Sequence, residues 1–162
     1  MKSASPRVGQ VQSIWCKTMP LDRRTAQERD RDFIWRIYSN AYRIVVTHQL
    51  GEWDDALQKS AFSEKWGRGG FEIVSLNATP VGAVWVTSEK TFIQLRDLFL
   101  APEYQGQGIG SCIVRQELDR ARAVGKSLKL RVLKQSGAIR FYERLGFERC
   151  GETQTQYWMT SN

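Results

Sequence analysis

The chain has 162 residues, 41% of them hydrophobic, and a formal net charge of +7 from 24 Lys and Arg against 17 Asp and Glu. That length supports one well-buried core and is short for two domains; no window approaches the ~20 apolar residues of a membrane span, and the N-terminus lacks the apolar stretch of a secretory signal. The basic excess attracts anions generally, but Lys and Arg are scattered apart from short clusters such as Arg23-Arg24, so a solvated surface is expected rather than a nucleic-acid face.

Residues 1–18 mix Ser, Gln, Gly and Lys with few apolar positions and are expected to form an N-terminal arm, with a single domain over 19–162. Met19 to Arg24 reads as a short strand. From about Glu28, Phe33, Ile34, Ile37, Ala41, Ile44 and Val45 recur at three- and four-residue spacing and predict a long amphipathic helix ending at Gly51. His48 falls in its last turn, where the helix dipole suits an imidazolium. A second helix starts at Glu52-Trp53-Asp54-Asp55 with Ala56, Leu57, Ala61 and Phe62 as its inward stripe. Its acidic start fits helix capping.

After Gly67-Arg68-Gly69-Gly70, Phe71 to Leu76 and Val81 to Val86 predict a hairpin around Asn77-Ala78-Thr79-Pro80. The second of these strands is apolar at nearly every position, so both its faces must be covered. Phe92 to Leu100 completes a meander. Period-2 alternation puts Asp97 on one face with Leu95 and Phe99. Ile109, Ile113, Val114, Leu118 and Ala121 then mark a helix ending at Gly125. Leu128 to Leu133 is the next strand, expected parallel to its partner because a helix intervenes. A short helix over Gly137 to Leu145 and strands at Phe147 to Gly151 and Gln156 to Thr160 close the chain. Cys16, Cys112 and Cys150 with the single His48 make neither a disulfide framework nor a zinc site, so no metal is expected.

Between the meander and the helix stands Gln105-Gly106-Gln107-Gly108-Ile109-Gly110. No Gly-Lys-Ser/Thr follows it and its spacing is not Gly-x-Gly-x-x-Gly, which excludes a P-loop and a dinucleotide fingerprint. Backbone N–H groups of such a loop, with the helix dipole behind them, favour an anion. This Gln-x-x-Gly-x-Gly string resembles the acetyl-CoA pyrophosphate loop of the GNAT acyltransferase superfamily. One helix and one strand later, Ala138-x-x-Phe141-Tyr142-Glu143-x-Leu145-Gly146-Phe147 resembles the second signature of that superfamily.

The resemblance implies an α/β (α+β mixed) GNAT fold. Its central sheet would be mixed, mostly antiparallel and twisted, with about six or seven strands, helices on both faces and the order β-α-α-β-β-β-α-β-α-β-β. It implies an acetyl-CoA-dependent N-acetyltransferase acting on a small-molecule or peptide amine, monomeric or homodimeric; the missing span and signal and the scattered charge lead to the expectation of a cytoplasmic protein away from membranes and nucleic acid. A coenzyme-binding sensor or a basic nucleic-acid module is the alternative. Leu98, Phe99 and Leu100 would offer backbone N–H groups to pantetheine and to the charge developing on the thioester. Gln105, Gly106, Gln107, Gly108, Ile109, Gly110 and Ser111 would hold the pyrophosphate. Tyr142 matches the tyrosine that protonates the departing thiolate, although it also completes an apolar helical stripe. The asparagine usual before the last helix is replaced by Gln135 or Ser136, both able to hydrogen-bond. For a general base Asp97 is the candidate, with Glu72 and Glu52 behind it. An ion pair of Asp97 with Arg96 or Arg131 is the structural alternative, and the amine could also lose its proton through water. Glu52, Asp54 and Asp55 are the candidate acceptor-binding residues.

Overall fold

The computed structural model describes residues 19–161; the expected arm, with Cys16, lies outside them. In chain order the elements are β1 (Leu21–Thr25), α1 (Arg31–Leu50), α2 (Asp55–Arg68), β2 (Phe71–Leu76), β3 (Thr79–Ser88), β4 (Phe92–Leu100), α3 (Ile109–Ala123), β5 (Ser127–Leu133), α4 (Ala138–Arg144), β6 (Glu148–Glu152) and β7 (Gln156–Ser161). Short 3-10 turns lie at Glu28–Asp30 and Pro102–Tyr104. This is the expected order. The strands make one seven-stranded sheet, β1-β2-β3-β4-β5-β7-β6. Every pair is antiparallel except β4 with β5, which are parallel as the intervening α3 requires.

The β2–β3 connection is tighter than expected. Thr79 and Pro80 belong to β3, so only Asn77 and Ala78 form the loop, both with positive φ (49° and 65°). Two left-handed residues are what the twist of a two-residue hairpin demands, and Asn accepts that conformation more readily than Ala.

Each face of the sheet carries its own core. On one, Val74, Val81, Val84, Ile93 and Leu95 meet Ile109, Ile113 and Leu118 of α3 and Leu128, Leu130 and Met159. On the other, Ile34, Ile37 and Tyr38 of α1 and Phe62 of α2 cover Phe71, Ile73, Ala83, Trp85 and Phe99. Each such side chain contributes about 1.5–3 kcal/mol on burial. Across the first face, Arg23 of β1 ion-pairs with Glu72 of β2 and with the buried Glu117 of α3.

Two helical stripes differ from expectation. In α1 the buried positions are Ile34, Ile37, Tyr38 and Val46, while Ile44 is 72% exposed. The inward ridge runs in steps of four through Tyr38 and Tyr42, amphipathic side chains that a count of aliphatic residues underrates. In α2 only Phe62 of the expected stripe is buried; Leu57 is 61% exposed, and the side chains turned toward the sheet include Gln58, Lys65 and Trp66.

β4 does not alternate cleanly. Trp85 pairs with Asp97 but the next residue, Val86, pairs with Leu95, so Arg96 is an extra residue in a β-bulge. A bulge shifts the side-chain phase by one. Leu95 therefore joins the α3-side core while Asp97 and Phe99 face α1 and α2, which corrects the expectation that all three share a face.

Beside this segment, Gly82 of β3 pairs with Leu100, and a Cβ at Gly82 would sit 2.4 Å from the carbonyl oxygen of Phe99. Backbone cannot yield as a flexible side chain does. Gly82→Ala is expected to cost about 2–3 kcal/mol, measured as a lowered denaturation midpoint; an unchanged midpoint would contradict the close β3–β4 approach.

Candidate functional site

The bulge coincides with a parting of the sheet. β4 pairs with β5 only from Phe92 to Leu95, opposite Ser127 to Leu130. Beyond that, among the described residues, Asp97 to Leu100 keep β3 on one side but have no strand on the other, and Arg131 to Leu133 pair only with β7. Backbone polar groups on an unpaired edge need partners, so the opening offers donors and acceptors to whatever enters it. It holds a cavity of about 150 Å³ lined by residues that include Tyr42, Arg96, Asp97, Leu98, Phe99, Arg131, Ser136, Tyr142 and Gln156.

A second cleft, of about 570 Å³, runs from there to the glycine loop, along Leu100, Gln105, Gly106, Gly108, Gly110, Ser111, Phe141 and Arg144. The two spaces share Ala41, Leu98, Ala138 and Tyr142, so Tyr142 stands at their junction. The glycines serve two different needs. Gly106 and Gly108 have φ of 72° and 83°, and a Cβ on either would meet no protein atom within 4 Å: these residues are bent to leave space open in front of the N-terminus of α3. Gly110 is helical, and its Cβ would lie 3.4 Å from Cζ of Phe141, so smallness there lets α4 approach α3. The loop's shape is held from behind, where the Gln105 amide donates to the Leu100 carbonyl (3.0 Å) and the Gln107 amide to the Glu103 carbonyl (2.7 Å). Open space, unpaired N–H groups at a helix N-terminus and a nearby arginine make a site for a phosphate-bearing ligand.

At the other end stands Asp97, 4% exposed. Its predicted partners, Arg96 and Arg131, line the same cavity but do not bond to Asp97: Arg96 donates to Thr87 (3.1 Å) and Arg131 lies over the Trp158 ring (5.0 Å). The partner is Lys65 of α2, which donates to both carboxylate oxygens at 2.8 and 3.0 Å, and Tyr42 of α1 donates to one of them at 3.3 Å. The bulge turned Asp97 toward these helices. Burial pushes the Asp97 carboxyl above its ordinary range, while the charge and hydrogen bonds of Lys65 and then Tyr42 pull it down. Burial, and next the negative charge of Asp97, push the Tyr142 phenol well above its ordinary value, so it stays protonated. The Tyr42 hydroxyl is shifted the same way for the same leading reasons. A carboxylate that can take a proton and a phenol that can give one thus share one small space.

Of the other expected residues, Ser136 lines the cavity, and its hydroxyl accepts from the Ala138 N–H (3.1 Å) at the start of α4, while Gln135 is exposed. Gln107 and Ile109 do not line the clefts, Ile109 being 1% exposed in the core. Asp54 caps α2 through the Leu57 N–H (2.9 Å), and Asp55 accepts from Trp53 (2.7 Å) and pairs with Arg43. Neither they nor Glu52 line the cavity. Glu72 is engaged with Arg23. Lys65, Tyr42 and Arg144 were not singled out from the sequence. A lysine on a helix reads as solvated, and only Tyr42's step of four from Tyr38 marked it as inward. Among the described residues no cluster of His, Cys, Asp and Glu could hold a metal ion, and no helix is long and apolar enough to cross a membrane.

Comparison with known proteins agrees with this architecture. Residues 44–161 match the family model described as an acetyltransferase (GNAT) domain. An uncharacterised N-acetyltransferase of Methanocaldococcus jannaschii is 28% identical over 134 residues, covering 77% of this chain and 59% of that protein. N-acetyltransferase 8 of Rattus norvegicus is 28% identical over 129 residues, covering 75% and 57%. The chain thus spans rather more than half the length of these curated relatives. Among solved structures, the PaiA N-acetyltransferase of Thermoplasma acidophilum in complex with coenzyme A superposes with a TM-score of 0.70 at 17% identity, covering 89% of this chain and 99% of that one. The ribosomal-protein-S18-alanine N-acetyltransferase of Escherichia coli does so with 0.61 at 19%, covering 86% and 92%. At such identity these structures share the fold. The parted sheet, the glycine loop ahead of α3 and the match over residues 44–161 lead to one conclusion: this chain belongs to the GNAT acetyltransferase family.

Proposed function

We propose that the chain transfers an acetyl group from acetyl-CoA to a primary amine by direct attack. The observation that carries this is the junction of the two clefts at Tyr142 and Leu98, which joins an anion-favouring loop to a space holding a buried carboxylate. Bound there, acetyl-CoA would supply the acetyl group as an activated thioester.

The residues divide the work. Gly106, Gly108 and Ser111 with the N-terminus of α3 would receive the pyrophosphate, and Arg144 a further phosphate oxygen. The unpaired edge of β4 at Leu98, Phe99 and Leu100 would hold pantetheine and face the thioester carbonyl; a donor aimed at charge developing there is typically worth ~3 kcal/mol. Asp97 accepts a proton from the incoming ammonium, the freed amine attacks, and Tyr142 gives its proton to the departing sulfur. Lys65 is a positioning residue: its bond to both oxygens of Asp97 orients the carboxylate and favours its charged form against the opposing effect of burial.

Three outcomes test this. Because a Cβ at Gly108 meets no protein atom, Gly108→Val is expected to lose only the ~1–2 kcal/mol of left-handed strain from stability, yet to weaken acetyl-CoA at least tenfold in a calorimetric titration. Unchanged affinity would remove the loop from the site. Tyr142→Phe should retain coenzyme binding and lose about 10²-fold or more in kcat; wild-type turnover would exclude it as the acid. The third concerns pH. A base works only when ionised, so kcat/KM rises as pH climbs through the carboxyl's pKa, and Lys65→Met removes the cation that holds that value down. The acid limb of the profile should therefore move to higher pH in Lys65→Met and vanish in Asp97→Asn. A limb unmoved by Lys65→Met would mean that Asp97 is not the titrating base.

A further inference from the structure

The charges around the cavity bear on which amine it takes. Among the described residues Asp97 is its one carboxylate, and that charge is already matched by Lys65 at 2.8 Å. Two arginines also line the space. Arg96 has Glu89 at 3.8 Å. Arg131 is exposed and lies over Trp158, its cross-strand partner on β7, with no ion pair to a carboxylate among the described residues. The alternation of β5 puts Leu130 and Val132 in the α3-side core, so Arg131 stands on the other face, the one toward which Asp97 turns. The space in front of Asp97 is therefore net positive. The acidic residues that would have suited a polyamine, Glu52, Asp54 and Asp55, lie off the cavity and are engaged in capping or with Arg43 and Trp53.

We infer that the acceptor is a primary amine carrying a carboxylate close to the nitrogen, with the amine against Asp97 and Tyr142 and the carboxylate on Arg131. This rests on the acetyl-transfer reading above. Arg131 lies over the Trp158 ring at 5.0 Å and has no carboxylate partner among the described residues, and a guanidinium is suited to binding a carboxylate in two parallel hydrogen bonds. Cations around the amine also disfavour its ammonium form, which eases loss of the proton that Asp97 must take. Atoms balance as in simple acetyl transfer: one ammonium proton goes to Asp97 and on to solvent, the N–C bond forms, the C–S bond breaks with the sulfur taking the Tyr142 proton, and the second proton that nitrogen loses as the amide forms restores Tyr142. A carboxylate so placed could belong to a free amino acid or to the first residue of an acidic peptide.

The probes are free aspartate, tetrapeptides beginning with Asp, Asn or Lys and otherwise identical, and spermidine, each assayed with acetyl-CoA. Wild type should favour the Asp over the Asn peptide by at least about tenfold in kcat/KM, mainly through KM, and should disfavour the Lys peptide and spermidine. Arg131→Gln should bring the Asp/Asn ratio near one, and Arg131→Glu should turn the preference toward Lys, while calorimetric affinity for acetyl-CoA stays within about twofold in both. Free aspartate above the Asp peptide would mark an amino-acid acceptor, and the reverse a peptide. A preference for the Lys peptide or spermidine in wild type, an Asp/Asn ratio unmoved by Arg131→Gln, or turnover of no probe by protein that binds acetyl-CoA would each overturn the inference and leave the coenzyme reading intact. Failure of wild type to bind acetyl-CoA would overturn both.

Discussion

The site depends on one interruption in a hydrogen-bond ladder. β4 and β5 begin as ordinary parallel neighbours from Phe92 to Leu95 and then separate. The bulge at Arg96 marks the place, since it also changes which face of the sheet Asp97 and Phe99 occupy. In unbroken alternation Asp97 would share the face of Leu95, in the aliphatic core beneath α3, where an ionised carboxylate is costly. With the bulge, the carboxylate meets a lysine and a tyrosine. The bulge thus coincides with the opening of the sheet and the free edge of β4, and with the turn of Asp97, the one acid lining the cavity among the described residues, toward α1 and α2.

Asp97, 4% exposed, has an ion-pair partner from elsewhere in the chain. Lys65 comes from α2, and its ammonium lies 5.6 and 5.7 Å from the ring centres of Tyr38 and Tyr42, so the aromatic faces help to hold the charge they surround. The same rings run on through Phe62 and Phe99 to form the second core. Packing and site electrostatics are therefore not separate on this side of the sheet: the side chains that fix α1 and α2 on it also set the environment of the carboxylate.

The glycine loop shows local sequence and tertiary structure acting together. Its residue types and its place before an apolar-periodic helix were enough to indicate an anion site, because the backbone supplies the donors. What each glycine does differs. Gly106 and Gly108 hold left-handed conformations beside open space, whereas Gly110 admits the Phe141 ring of α4. Identical residues at alternate positions could not reveal that difference, since it depends on α4, about thirty positions away in the chain.

Element order, strand count, the coenzyme-type loop and the Phe141-Tyr142 helix were all legible in the sequence, because they rest on short-range patterns: period-2 and period-3.6 hydrophobicity, glycine punctuation and two motifs in order. The inward faces of α1 and α2 were not, because Tyr42, Gln58 and Lys65 are amphipathic or polar and turn inward only where another element offers them a partner. The phase of Asp97 was lost for a related reason. A bulge is a mismatch between two strands, Trp85-Val86 against Leu95-Asp97, and neither strand carries it alone. The sequence by itself determined the fold and the place of the loop; the tertiary structure alone decided which charges meet around the cavity, because ion pairs such as Lys65 with Asp97 join residues that no local pattern connects.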